Sequence, residues 1–113
     1  MTTDDAFRHL ALSFPRAVER AILGSQEFRV RDTAFATLGW PEPGWAVVRL
    51  TPADQATFIS QSPALSAEPG GRGRRGVTRV RLTGLDEALL KPIIAAAWRI
   101  ASDAQPPASV AER

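Results

Sequence analysis

The chain has 113 residues, of which 44 % are hydrophobic, and a net charge of only +2, a composition that fits one compact domain. It has no cysteine and one histidine, which excludes disulfide bonds and a conventional zinc site, so we expect no metal and no cofactor. It also lacks a signal-peptide pattern and any run of the roughly 20 apolar residues that a membrane span needs, so we expect a cytoplasmic protein that does not contact membranes.

The first predicted element is a helix. Thr2 or Thr3 provides an N-cap, and the two aspartates that follow place negative charge in the first turn. The helix should end near Ser13, because Pro15 disfavours helical backbone in the residue before it. A short extended segment is expected over residues 17–23.

A β-hairpin is predicted around an Arg-Asp turn at residues 31–32. Residues 27–30 and 33–38 form two strand-like runs on either side of it. A two-residue turn would pair Phe28 with Phe35 and put both rings on one face of the hairpin. Arginine is a poor residue for the positive φ angles of such a turn.

A strand followed by a helix is predicted in the middle of the chain. Residues 45–50 alternate and follow a Gly-Trp-Pro-Glu-Pro-Gly turn. This alternation points three side chains away from the core: Trp45, Val47 and Arg49. Thr51, Pro52 and Asp54 then give a cap, a proline at the first helical position and an early acid, which predict a short helix to about Ser60.

The densest positive charge follows a long segment predicted to be a loop. Residues 62–76 are rich in Pro, Gly, Ser and Ala, and their glycines indicate a mobile loop without secondary structure of its own. The loop carries Arg72, Arg74 and Arg75. A strand over residues 77–82 comes next, with Val80 and Leu82 facing the core and Arg79 and Arg81 facing outward, their Cα atoms ~7 Å apart.

The last predicted element is a helix that Asp86 caps. Leu90, Ile94, Ala97 and Ala101 lie along one stripe of it, and Trp98 should join the core face. Pro92 either kinks this helix or marks where its regular part begins. The domain should comprise residues 1–104, with a flexible tail over residues 105–113.

Several short motifs resemble the MmcQ/YjbR-like family of small bacterial proteins. They are Ile22-Leu23-Gly24, Phe28-Arg29-Val30, Phe35-Ala36-Thr37-Leu38, Thr51-Pro52 and Ala97-Trp98-Arg99. The resemblance implies a two-layer α+β fold similar to frataxin-like proteins, with an antiparallel sheet covered by helices. It also implies DNA binding, which is the usual description of the family, through a double-wing arrangement of hairpins and loops. The acidic ridge on which frataxin-like proteins bind iron is not visible, so iron is not expected.

The candidate function is low-specificity DNA binding without catalysis. Strand alternation places four arginines on the solvent face of the sheet beside Trp45, while those of the loop overhang its edge. Phosphate contacts from these arginines, and stacking on Trp45, predict binding to double-stranded DNA. We expect the protein to be a monomer. The candidate nucleic-acid-binding residues are Arg29, Arg49, Arg72, Arg74, Arg75, Arg79, Arg81 and Trp45.

Two other interpretations stay open. All but one of the 14 basic residues are arginine, as GC-rich coding would produce, so the arginines could simply decorate a solvated face on which Glu27 weakens the positive field. Alternatively, the sheet face and residues 62–76 form a cleft for an acidic protein partner or a small ligand. An enzyme is not expected, because His9, four residues after Asp5, has no recognisable nucleophile or second base.

Overall fold

The structure is a computed structural model and describes residues 2–104. It is an α+β fold, as predicted. The strands are β1 (Val18–Ile22), β2 (Ser25–Val30), β3 (Thr33–Leu38), β4 (Trp45–Arg49), β5 (Leu65–Ala67) and β6 (Val77–Arg81). The helices are α1 (Asp4–Leu12), α2 (Pro52–Ile59), α3 (Gly71–Arg74) and α4 (Glu87–Asp103). The tail predicted at residues 105–113 lies outside the described residues.

The strands form one six-stranded sheet in the order β1-β2-β3-β4-β6-β5, with every pair antiparallel. Helices α1 and α4 pack against one face of the sheet. Phe7 from α1 and Phe28 from β2 are both fully buried in the core between these layers. The opposite face of the sheet is therefore the one on which outward-facing strand residues meet solvent. No helix within residues 2–104 has the length and apolar character needed to cross a membrane.

The predicted helix starts are confirmed, and each has a side-chain cap. The hydroxyl of Thr3 accepts a hydrogen bond from Ala6 N at 3.0 Å, and Thr51 accepts one from Asp54 N at 3.1 Å. Asp86 Oδ1 accepts one from Ala88 N at 2.9 Å. Each cap satisfies an amide that has no partner inside its helix.

The hairpin turn at residues 31–32 is confirmed, but the predicted pairing of the two phenylalanines is wrong. Arg31 and Asp32 have φ angles of 51° and 67°, as a primed two-residue turn requires. A bulge then inserts Phe35 as an extra residue, so Phe28 pairs with Ala36. Both rings still reach the core, with centroids 6.5 Å apart.

Helix α4 buries the predicted stripe of Leu90, Ile94, Ala97 and Ala101. Trp98 packs against the core but is only half-buried, because it lies at the margin of the helix layer. Its ring centroid is 5.8 Å from that of Phe14, and its Nε1 donates to the carbonyl of Pro15 at 3.0 Å. The helix continues through Pro92.

The prediction of an unstructured loop over residues 62–76 is wrong. This segment contains edge strand β5 and the short helix α3, and two of its glycines are buried against backbone. A Cβ added at Gly73 would lie 1.7 Å from the Glu68 carbonyl oxygen, and one at Gly76 would lie 1.8 Å from that of Leu50. These glycines permit close packing of the arginine-rich segment. They do not make it the flexible loop that was predicted.

Candidate functional site

The face of the sheet opposite α1 and α4 carries a row of cross-strand neighbours from β2 to β6. Glu27 pairs with Thr37, Thr37 with Val47, and Val47 with Arg79. The residues on either side of each of Thr37 and Val47 belong to the buried core. Because successive strand residues point to opposite faces, this row faces away from α1 and α4. We call this side of the sheet the open face.

A cleft of about 380 Å³ lies on the open face. One wall is apolar and comes from the β1–β2 turn and the β3–β4 loop, which contribute Ile22, Leu23 and Trp40. All three side chains are exposed, and Trp40 retains 47 % of its accessible surface. Large apolar side chains concentrated at one concave site are typical of a binding surface.

Most of the other residues that line the cleft are polar or charged, and buried Val47 is the exception. Glu27, Thr37 and Val47 contribute to its lining from adjacent strands, and Arg49 and Arg72 contribute guanidinium groups. Arg49 is the last residue of β4, whereas Arg72 comes from α3. The sheet and the arginine-rich segment therefore build the cleft together.

Glu68 connects this arginine-rich segment to the sheet. Its Oε1 accepts a hydrogen bond from Arg79 Nε at 2.6 Å, and its Oε2 lies 3.9 Å from Arg72 Nη1. The Glu68 side chain is only 9 % exposed, so the carboxylate is largely removed from water and needs these cationic partners.

Helix α3 is fixed by backbone contacts as well. Gln55 of α2 is buried and donates through Nε2 to the carbonyls of Gly73 and Val77, each at 3.1 Å. The carbonyl of Gly76 accepts from Leu50 N at 3.1 Å. The arginines of α3 therefore project from a held backbone, which reduces the entropy lost when they bind a ligand.

Two of the predicted site arginines on strands have internal acidic partners, and a third, Arg72 of α3, lies within salt-bridge distance of Glu68. Arg29 Nη1 lies 2.8 Å from Glu27 Oε1, and Arg29 Nη2 donates to the carbonyl of Asp32. Arg79 is bound to Glu68. Strand alternation placed both arginines on the open face correctly, but their charges are largely offset by adjacent carboxylates.

The remaining predicted arginines are available to a ligand. Four of them form no salt bridge within the described part of the chain: Arg49, Arg74, Arg75 and Arg81. The guanidinium groups of Arg74 and Arg75 both approach Gly71, since a Cβ there would lie 3.7 Å and 3.3 Å from them. Two cations at one point of the surface, neither with an acidic partner among residues 2–104, form a favourable site for an anion.

The tryptophans of the open face differ from the prediction in their exposure. Trp45, the predicted stacking residue, is half-buried and pairs across the sheet with Arg81. Trp40 is the more exposed ring, and it is the one that lines the cleft. Sequence reasoning missed Trp40 because alternation assigns a face only to strand residues, and Trp40 lies in the loop before β4.

His9, four residues after Asp5, lies away from the cleft. This residue is exposed on α1, which packs on the face of the sheet opposite the cleft. Over residues 2–104, no three His, Cys, Asp or Glu side chains come close enough together to hold a metal ion.

Comparison with known proteins identifies the family. The family model named YjbR matches residues 12–100, which include the whole sheet and most of α4. The chain belongs to the YjbR family. No curated protein matches the sequence.

A solved structure shows the same YjbR fold. The chain is similar to the crystal structure of Deinococcus radiodurans protein DR2400, which contains a DUF419 domain. The TM-score is 0.76 at 15 % sequence identity, and the superposition covers 96 % of this chain and 85 % of that one. At this identity the likeness establishes the fold alone.

Proposed function

We propose that this YjbR-family protein is a non-enzymatic, low-specificity DNA-binding protein that contacts phosphates through arginine. The observation that carries the proposal is the position of α3. It places Arg74, and Arg75 directly after it, next to the end of the sheet where Arg49 lies, and neither has an acidic partner within residues 2–104. Guanidinium groups of this kind donate in a planar fork that suits phosphate oxygens.

The cationic residues span the exposed side of two adjacent strands. Arg49 pairs with Val77 at one end of β6, and Arg81 pairs with Trp45 at the other end. Four strand rises separate the two ends, so the arginines there lie ~13 Å apart along the sheet. This length corresponds to about four base-pair steps of DNA at ~3.4 Å each.

Low sequence specificity follows from the elements that carry the charge. Helix α3 has only four residues, so it offers no recognition helix for the major groove. The available donors are arginines at the end of a sheet and on a short helix, which suit the DNA backbone. Phosphate contacts position a protein on DNA but carry no sequence information.

The direct test is fluorescence anisotropy with a labelled DNA duplex at about 50 mM salt, where phosphate contacts are strong. The wild-type protein should bind, and combined alanine substitution of Arg49, Arg72, Arg74, Arg75 and Arg81 should abolish binding. Circular dichroism should show that the variant keeps its fold, since these side chains lie outside the core. Absence of wild-type binding, or equal binding by the variant, contradicts the proposal.

A second candidate function is a protein-interaction or small-ligand module for an acidic partner. The open-face cleft favours it, because apolar and arginine side chains line a single cavity. An acidic peptide that binds the protein and is not displaced by excess duplex DNA would support this candidate. Displacement of the peptide by DNA would favour the phosphate-binding surface.

A further inference from the structure

We propose that the open-face cleft binds a single unpaired nucleotide, with the base against Trp40 and the phosphate near Arg49 and Arg72. The volume of about 380 Å³ lies within the roughly 300–1,000 Å³ of small-molecule sites. This inference deepens the proposed function. It rests on that function where the nucleotide belongs to a DNA strand, and stands apart from it where the nucleotide is free.

The apolar wall has the chemistry of a stacking platform. The indole of Trp40 is about half exposed and lies in the same wall as Ile22 and the fully exposed Leu23. A planar base covers such a surface, and any base can do so because each one has a π-face. A base within an intact duplex is already stacked on both sides, so the occupant must be unpaired or at a strand end.

The cationic wall supplies partners for the phosphate. Arg49 forms no salt bridge with any residue in the range 2–104. Arg72 approaches Glu68 only to 3.9 Å, which is longer than a hydrogen bond, and its side chain donates to no residue in the range 2–104, so its N–H groups can donate to an oxyanion. These cations and the indole line one cavity, as a nucleotide with a base and a phosphate requires.

Polar groups between the two walls match the edge of a base. Glu27 Oε1 accepts a hydrogen bond from Arg29 at 2.8 Å, which fixes the carboxylate and leaves Oε2 unoccupied by any donor in residues 2–104. Thr37, its partner on the next strand, adds a hydroxyl that can donate or accept. A carboxylate oxygen accepts from the exocyclic amine of a base, as it does from cytosine N4.

The experiment compares two duplexes of one sequence, one blunt and one with a single unpaired 3′ nucleotide, each labelled at the other end. Anisotropy should show tighter binding of the overhang duplex by about 5-fold to about 150-fold, the range for stacking one base on an aromatic side chain. Trp40→Ala should reduce this ratio to about one. Leu23→Glu should do the same, and because Leu23 is fully exposed this variant tests the site without disturbing the core.

The double variant Arg74→Ala with Arg75→Ala is the matched control. It should weaken the binding of both duplexes equally and leave the ratio of their affinities unchanged, because neither residue lines the cleft. Failure of the wild-type protein to bind the blunt duplex would overturn the proposed function. Equal affinity of the wild-type protein for the two duplexes would exclude the DNA strand as the source of the nucleotide.

A second arm uses free nucleotides and does not depend on DNA binding. Isothermal titration with a deoxynucleoside monophosphate, with inorganic phosphate and the nucleoside as controls, should show binding that Trp40→Ala removes if the cleft takes free nucleotides. Binding in either arm that depends on Trp40 supports the inference. No overhang preference together with no monophosphate binding overturns it, as does binding that both cleft variants retain.

Discussion

Glu68 Oε1 lies 2.6 Å from Arg79 Nε, and this contact joins the segment after β5 to the open face of the sheet. The same carboxylate lies 3.9 Å from Arg72 on α3. Glu68 therefore has two effects: it helps to fix the arginine-rich segment, and it offsets part of the positive charge that the segment presents.

Glu68→Gln should separate these two effects. The amide keeps the shape of the side chain but loses the charge, so the free energy of unfolding should fall by about 1–3 kcal/mol, as for hydrogen bonds to charged groups. DNA affinity should rise, because Arg79 and Arg72 then lack their acidic partner. Urea denaturation and duplex anisotropy measure the two changes.

Glu42→Gln is the matched control for this substitution, since Glu42 is exposed in the β3–β4 loop and makes no salt bridge in the described structure. It removes the same charge without freeing an arginine. Equal effects of the two substitutions on DNA affinity would show that net charge alone matters and that Glu68 does not restrain Arg79.

Gly73→Ala should destabilise the protein, because the new Cβ would lie 1.7 Å from the Glu68 carbonyl oxygen and the backbone must shift. The expected loss is about 1–3 kcal/mol or somewhat more, as for overpacking in a core. Gly71→Ala is the control, since its Cβ would meet only the ends of two flexible side chains, Arg75 at 3.3 Å and Arg74 at 3.7 Å. The midpoint temperature of thermal unfolding of the Gly73→Ala variant should be well below that of Gly71→Ala. Equal midpoints would contradict the close packing of α3.

Replacing the Arg31-Asp32 turn by Asn-Gly should stabilise the protein. Both residues have positive φ, which costs ordinary side chains of order 1–2 kcal/mol and suits Asn and Gly. A gain of about 1 kcal/mol in urea denaturation is expected after the loss of the 3.3 Å bond from Arg31 to the Ser102 carbonyl is included. Arg31→Lys, which keeps the unfavourable backbone, should give no gain; a gain from Lys, or none from Asn-Gly, would contradict this explanation.

The elements that the sequence predicted correctly are those set by neighbouring residues. Thr51 and Asp86 cap helices through side-chain bonds to amides two or three residues away, so local sequence is sufficient. The bulge at Phe35 depends on how the hairpin fits the core, which the alternation of β3 alone does not reveal. The loop prediction for residues 62–76 was wrong because a glycine required by close packing, such as Gly73 or Gly76, cannot be told in sequence from one in a flexible loop.

The candidate site was predicted only in part, because strand alternation is a local property and the contacts that complete the site join distant segments of the chain. Alternation put Arg79 and Arg81 on the open face, but the partnership of Arg79 with Glu68 depends on the pairing of β5 with β6. The cleft depends on two loops meeting over the sheet, so its apolar wall was missed. The one usable sequence signal was the presence of Leu23 and Trp40 beside turn glycines, where large apolar side chains have no local reason to occur.

Arginines of the open face and of the α3 segment are proposed to contact DNA phosphates, and the salt dependence of binding tests this most directly. The slope of log K against log salt should be measured for the wild-type protein, for Arg74→Ala with Arg75→Ala, and for Lys91→Ala with Arg99→Ala. The last pair removes the same charge from exposed positions of α4, on the opposite side of the sheet.

The Arg74/Arg75 variant should lose about 1.8 from the magnitude of the slope, about 0.9 for each phosphate contact, while the Lys91/Arg99 variant should keep the wild-type slope. Equal slopes for the two variants would contradict the proposed function, because binding would then depend on total charge and not on the arginines of the α3 segment.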